Sequence, residues 1–144
     1  MERREFIAAV GAAALLSATE ARAQSGEMHM TMMHPPKYKA LQDDCGHCVA
    51  TANDCLRHCI GMLAMNDYTM TGCINTAYQV VAACGALQAL AAVNSRQTPA
   101  FAKATGEICA ACQKECEKYP DVAECKACAE SCKTCAEECR KVGA

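Results

Sequence analysis

The chain has 144 residues, a formal charge of −2 at pH 7 and a pI near 6.1, so it carries no basic footprint for nucleic acid. Fourteen cysteines stand beside only four Tyr, two Phe and no Trp. At close to one residue in ten, cysteine becomes the organising residue, which excludes an ordinary cytosolic enzyme.

Residues 1–23 read as an export signal. Arg3 and Arg4 precede Phe6 and Ile7, an apolar run extends to Ala18, and Ala21-Arg22-Ala23 supplies a small-residue cleavage site. The paired arginines resemble a twin-arginine signal, placing cleavage after Ala23 and the mature protein in the periplasm or another extracytoplasmic compartment. That route carries proteins already folded in the reducing cytosol, where thiols persist and metals are loaded before export. The run is too short to span a bilayer, and no uninterrupted apolar stretch of 18 residues follows it, so no membrane span is expected. Residues 24–36 form a tail in which Met28, His29, Met30, Met32, Met33 and His34 precede Pro35-Pro36. Metal scavenging and a simple leader are both open readings of this tail.

The remainder, 37–144, has almost no strand signal. A first helix is expected from about Lys37 to Met65, stopped by Asn66-Asp67, and a second from about Thr69 to Asn94. Thr98-Pro99 predicts an N-cap with proline at the first helical position, opening a third helix that runs to about Lys118. Pro120 breaks the pattern, and Asp121 with Glu124 predicts a capping box for a fourth helix ending near Gly143. Four such helices joined by short turns predict an all-α fold, an antiparallel up-down-up-down four-helix bundle.

The cysteines fall on the seam of that bundle. Cys125, Cys128, Cys132, Cys135 and Cys139 advance by alternating steps of three and four, the a/d stripe of a packed helix. Cys109, Cys112 and Cys116 repeat the pattern on the third helix. On the first, Cys45, Cys48, Cys55 and Cys59 do so with Ala52 in the missing step. The second helix carries only Cys73 and Cys84, in register with Ala77, Val80, Leu87 and Ala91, and so supplies much of the conventional packing. From Thr98 onward there are eight Cys but no Leu or Met, too little apolar side chain for an ordinary core.

A buried thiol is a good small hydrophobe when single, but fourteen in heptad register would leave a long bundle underfilled. A disulfide scaffold also fits poorly, because neighbours at i,i+3 or i,i+4 hold their Cβ atoms about 5–6 Å apart, wider than a disulfide accepts, which leaves only bridges between helices. Thiolates at that spacing converge on a soft ion, and Cu(I) accepts low coordination by sulfur. Zinc asks for closed groups of four, usually from loop knuckles, and iron–sulfur clusters seldom need so many ligands. Each Cu(I) offsets one thiolate, so bridging thiolates give a neutral core that avoids the cost of burying isolated charge. The expected cargo is therefore Cu(I), at about one ion per thiol.

With its twin-arginine signal, four helices and C-x2-C-x3-C repeats at 109/112/116, 125/128/132 and 132/135/139, the chain resembles the bacterial copper storage proteins described from methane-oxidising bacteria. The resemblance covers the whole mature chain. It implies a homotetramer of four-helix bundles, each holding many Cu(I) ions on inward Cys thiolates. It also implies storage rather than catalysis, and supply of copper to an accepting enzyme or chaperone, with particulate methane monooxygenase as the expected client. Cys45, at the far end of the lining, is expected to bind less tightly or to stand outside the cluster.

In this topology the first and third turns share one end, where Cys59 is followed by Met62, Met65 and Met70, with His58 alongside. Neutral thioethers bind Cu(I) more weakly than thiolates and suit transient capture at a mouth; gap filling by these Met residues is the plainer alternative. Leu41, Leu87, Leu90 and Phe101 are expected to plug the other end, and His47 to face solvent or a neighbouring helix. The competing function is a zinc-binding or thiol–disulfide structural protein of the cell envelope. No catalytic constellation is visible in the residues, and no enzyme activity is expected.

Overall fold

Turn residues and prolines divide the chain into four rods before any packing is considered, and the computed structural model, which describes residues 34–144, contains those four helices. They are α1 (Lys39–Ala64), α2 (Thr71–Ala92), α3 (Thr98–Cys116) and α4 (Ala123–Val142). All four lie in one unit, Pro36–Ala144. The signal segment 1–23 and the tail up to residue 33 lie outside the described residues.

Asparagine ends α1 and α2 in the same way. Asn66 and Asn94 take φ values of 61° and 52°, a left-handed conformation that Asn tolerates better than most residues. This reversal lets the next amide reach back past the last turn of its helix: Asp67 N donates to Met62 O at 3.0 Å and Ser95 N to Leu90 O at 3.0 Å. Carbonyls that the helix would leave orphaned are thereby satisfied at both turns. The Asp67 carboxylate then accepts from Thr69 N at 2.9 Å and Thr69 Oγ1 at 2.7 Å, closing the α1–α2 connection and holding the carboxyl below its usual range.

The starts of α3 and α4 depart from expectation. Thr98 is not the cap of α3 but its first helical residue, after Gln97, and it is fully buried with an Oγ1 that has no hydrogen-bond partner. Its Cβ and methyl serve the core instead of the helix end. At α4 the residue before the helix is Val122, in extended conformation, with no side-chain cap. Glu124 turns toward α1 rather than back to its own amides, its Oε2 lying 3.9 Å from His58 Nδ1. The capping box at Asp121 and Glu124 is therefore not formed.

Each helix packs against its neighbours in sequence, and α4 closes the ring against α1. The up-down-up-down order puts the α1–α2 and α3–α4 turns at one end. A hydrogen bond from the Tyr119 hydroxyl to Thr69 O, 2.7 Å long, ties those two turns together. At the other end Lys37 N donates to Asn94 Oδ1 at 2.7 Å.

All fourteen cysteines are fully buried, together with Ala52, Ala77, Val80, Leu87 and Ala91 at the expected seam positions. The far-end plug differs from expectation. Leu41 and Leu87 are fully buried, but Phe101 is 39% exposed, and Thr98, Ala102 and Thr105 occupy the α3 seam there. Phe101 sits one position before the inward-facing Ala102, so the 3.6-residue turn carries its ring outward.

The composition of α2 sets it apart from the other three helices. This helix has no charged residue and is long and apolar enough, by length and composition, to cross a bilayer. Its six buried positions, Cys73 through Ala91, account for the apolar character of one face only.

Candidate metal centre

The thiols meet chiefly across helices. Cys73 on α2 lies 3.2 Å (Sγ–Sγ) from both Cys55 on α1 and Cys116 on α3, and Cys55 is 3.7 Å from Cys125 on α4. A layer with one thiol from each helix therefore lies near the end that holds both tied turns. Farther along the axis, Cys48 meets Cys132 at 3.5 Å, Cys84 meets Cys109 at 3.5 Å, and Cys135 touches both Cys45 and Cys84 at 3.8 Å. Along single helices, Cys55/Cys59 and Cys112/Cys116 approach to 3.9 Å, the i,i+4 contact anticipated from their spacing. Cys112 also reaches Cys128 at 3.9 Å. No disulfide links the fourteen, and every one is a free thiol.

Four groups have sulfurs within 4.8 Å of one another, close enough to share an ion: Cys48/Cys84/Cys109/Cys135, Cys55/Cys59/Cys73/Cys125, Cys55/Cys116/Cys128 and Cys112/Cys128/Cys132. Twelve of the fourteen cysteines belong to these groups. Cys45 and Cys139, at the plugged end, stand outside them, although Cys45 keeps its contact with Cys135.

Proximity splits the protonation behaviour of the lining. The Cys48 thiol is held down at about 5 because Cys109 and then Cys132 donate hydrogen bonds to its charged form. Cys55, Cys112 and Cys135 are lowered for the same reason, each surrounded by thiols that donate: Cys116 first for Cys55 and Cys112, and Cys109 first for Cys135. Cys73 is pushed up to about 11; the Cys116 thiol lowers it, but the hydrogen bond with Cys55 and burial outweigh that effect. Burial is the leading cause that raises Cys59 and Cys125. A soft cation that enters this lining displaces protons from the thiols it meets.

At the turn-bearing end the predicted Met and His residues separate. Met70 is buried, with its Sδ 4.0 Å from Cys59 Sγ, and Met62 is half-buried against the same core. Met65 is 67% exposed beside the helix end and is not drawn into the core. His58 is half-buried; its Nδ1 faces Glu124 while its Nε2 is buried and unpartnered. His47 is exposed, as expected, in a surface groove with Asp44, Thr51 and Ser131.

Sequence reasoning missed the polar seam between α1 and α4. Thr51 Oγ1 and the buried Ser131 Oγ are 2.5 Å apart, seven residues from the His58/Glu124 pair on each helix. Heptad spacing along the flank of the Cys stripe was the available signal. It also missed Thr105, which occupies the seam four residues before Cys109.

Comparison with known proteins agrees with this geometry. The family described as copper storage protein matches residues 34–144. No curated protein sequence matches. Among solved structures, the apo form of copper storage protein 3 from Bacillus subtilis is 29% identical. It aligns over 74% of this chain and 98% of its own, with a TM-score of 0.66. A Cu(I)-bound copper storage protein gives 29% identity, 74% and 97% coverage and a TM-score of 0.67.

Proposed function

The chain belongs to the copper storage protein family, and from that premise we propose that it stores Cu(I) at about one ion per thiol along the core of its bundle. The observation that carries this reading is the fully buried, cross-helix array of fourteen free thiols. A monovalent soft cation leaves such an array neutral when full. Zinc in the two four-thiol groups would bury four thiolates against a charge of two and leave the remaining thiols unused. Cu(I) binding by a structural relative supports the same choice.

Capture at the Met62/Met70 end follows from the same chemistry. The Met70 thioether touches the first thiol of the lining, Cys59, while Leu41 and Leu87 close the opposite end. Met65 and His58 flank this mouth and complete the weak-ligand set. Storage requires no turnover, and no catalytic role is assigned to any residue.

Twin-arginine export, periplasmic residence and supply of copper to a client such as particulate methane monooxygenase rest on the signal motif and on the resemblance to storage proteins of methane-oxidising bacteria. Assembly as a homotetramer is supported by α2, whose outer side carries no charge and exposes Tyr78 at 69%, with Val93 just past its end exposed at 74%. A self-complementary interface built on it places no like charges together. Sedimentation of the apo protein tests the assembly, with monomer as the contrary result.

The test of the storage reading is metal competition. Protein loaded anaerobically with equal excesses of Cu(I) and Zn(II), then freed of unbound metal by gel filtration, is expected to retain copper in large excess over zinc. Retention of two zinc ions per chain and little copper would favour the structural zinc reading.

A further inference from the structure

The thiol lining is not uniform along the axis. Contacts between Cys55 and Cys125, and between Cys48 and Cys132, bracket Ala52 opposite Cys128. On the other side, Cys73–Cys116 and Cys84–Cys109 bracket Ala77 and Val80 opposite Cys112. The layer between the mouth-side thiols and the far thiols therefore consists of Ala52 from α1, Ala77 and Val80 from α2, and Cys112 and Cys128 from α3 and α4, all buried. On α1 the gap from Cys55 to Cys48 is seven residues, about 10 Å of helix rise. On α2 the gap from Cys73 to Cys84 is longer still. Only α3 and α4 carry sulfur continuously.

Building on the storage reading, we propose that Cys112 and Cys128 are the relay by which Cu(I) passes between a mouth-side store and a far-side store within one bundle. The groups overlap accordingly. Cys128 belongs both to the Cys55/Cys116/Cys128 group and to the Cys112/Cys128/Cys132 group, and Cys132 touches Cys48 of the far group. Transfer is ligand exchange without redox change. Copper held by Cys55 and Cys116 gains a bond to the Cys128 sulfur and loses its bond to Cys55, and the Cys128 proton passes to the sulfur that lets go. The same exchange then moves the ion to Cys132. Copper stays monovalent, and one proton moves toward the mouth for each ion that moves inward. Ala52 and Ala77 offer no lone pair, so an ion crossing without the relay would travel as a bare charge along an apolar wall.

The relay is tested with the double variant Cys112→Ser/Cys128→Ser, loaded anaerobically from a weak Cu(I) chelator in a stopped-flow cell. The control, Cys45→Ser/Cys139→Ser, removes the same number of thiols at the plugged end. The hydroxyl is a poor partner for this soft ion. The expected result is a fast phase like that of the wild type followed by filling about tenfold slower or more, as a barrier raised by at least about 1.4 kcal/mol requires, whereas the control shows no slow phase. Adding Ala52→Cys and Ala77→Cys to the relay variant is expected to restore fast filling through the other two helices. Equal kinetics in relay variant and control, or no rescue by the added thiols, would overturn the proposal. Should the double variant lose its helical circular dichroism, Cys128→Ser replaces it with Cys139→Ser, outside the four groups, as control; slowing in the first alone supports the relay, and equal rates overturn it. A wild type that binds only a few ions would instead count against storage itself.

Discussion

At the scale of the residue, the sulfurs that surround each thiol decide its worth as a ligand, and exposure separates the methionines. Cys132 has Cys48 as a neighbour 3.5 Å away and shares a group with Cys112 and Cys128. Cys132→Ser is expected to lower copper capacity by about one ion while leaving the apo fold helical, because bridged thiolate clusters lose ions roughly in step with ligands. Metal analysis after loading, with circular dichroism of the apo form, checks both; loss of all binding would indicate a single cooperative cofactor. The joint change Met62→Leu, Met65→Leu and Met70→Leu conserves volume and is expected to leave capacity unchanged while slowing uptake from a weak chelator. Met70, in contact with Cys59, is expected to account for most of that slowing, and the exposed Met65 for least. Equal rates in the triple variant and wild type would remove the mouth from this end, and a fall in capacity would make these Met residues storage ligands.

At the scale of the element, helix register was the most legible feature of the sequence. The three–four steps of the cysteines fixed the inward face of α1, α3 and α4, and Ala77, Val80 and Leu87 did the same for α2. Helix starts were less legible, because Thr98 and Glu124 have side chains suited to capping yet find other uses in the core and beside His58. Which thiols would meet was not legible either. Spacing along one helix suggests pairs such as 128/132, but the shortest contacts, at Cys73, depend on how four helices are staggered. That stagger brings α3 and α4 close at Gly106, where an added Cβ would lie 3.0 Å from the Cβ of Cys139. Gly106→Ala is expected to destabilise the apo protein by about 1–3 kcal/mol, the usual cost of overpacking, despite the gain in helix propensity. Urea unfolding measures it; unchanged stability would mean that the two helices separate freely at this point.

At the scale of the whole molecule, the four helices are tied to one another by contacts that use no cysteine sulfur. Two Schellman-type helix ends, the Tyr119 tie between turns and the Leu41/Leu87 plug are all built from backbone, tyrosine and leucine groups. Apo, reduced protein is therefore expected to show a strongly helical far-ultraviolet spectrum, with copper adding stability rather than creating the fold. A mostly disordered apo spectrum would place it with domains that fold only around their metal. The storage account makes a numerical claim about the filled bundle, and one measurement tests it most directly. Anaerobic titration of the fully reduced protein with Cu(I), in competition with a strong Cu(I) chelator, is predicted to break at roughly fourteen ions per chain, one for each thiol. A break at four ions or fewer would contradict the account.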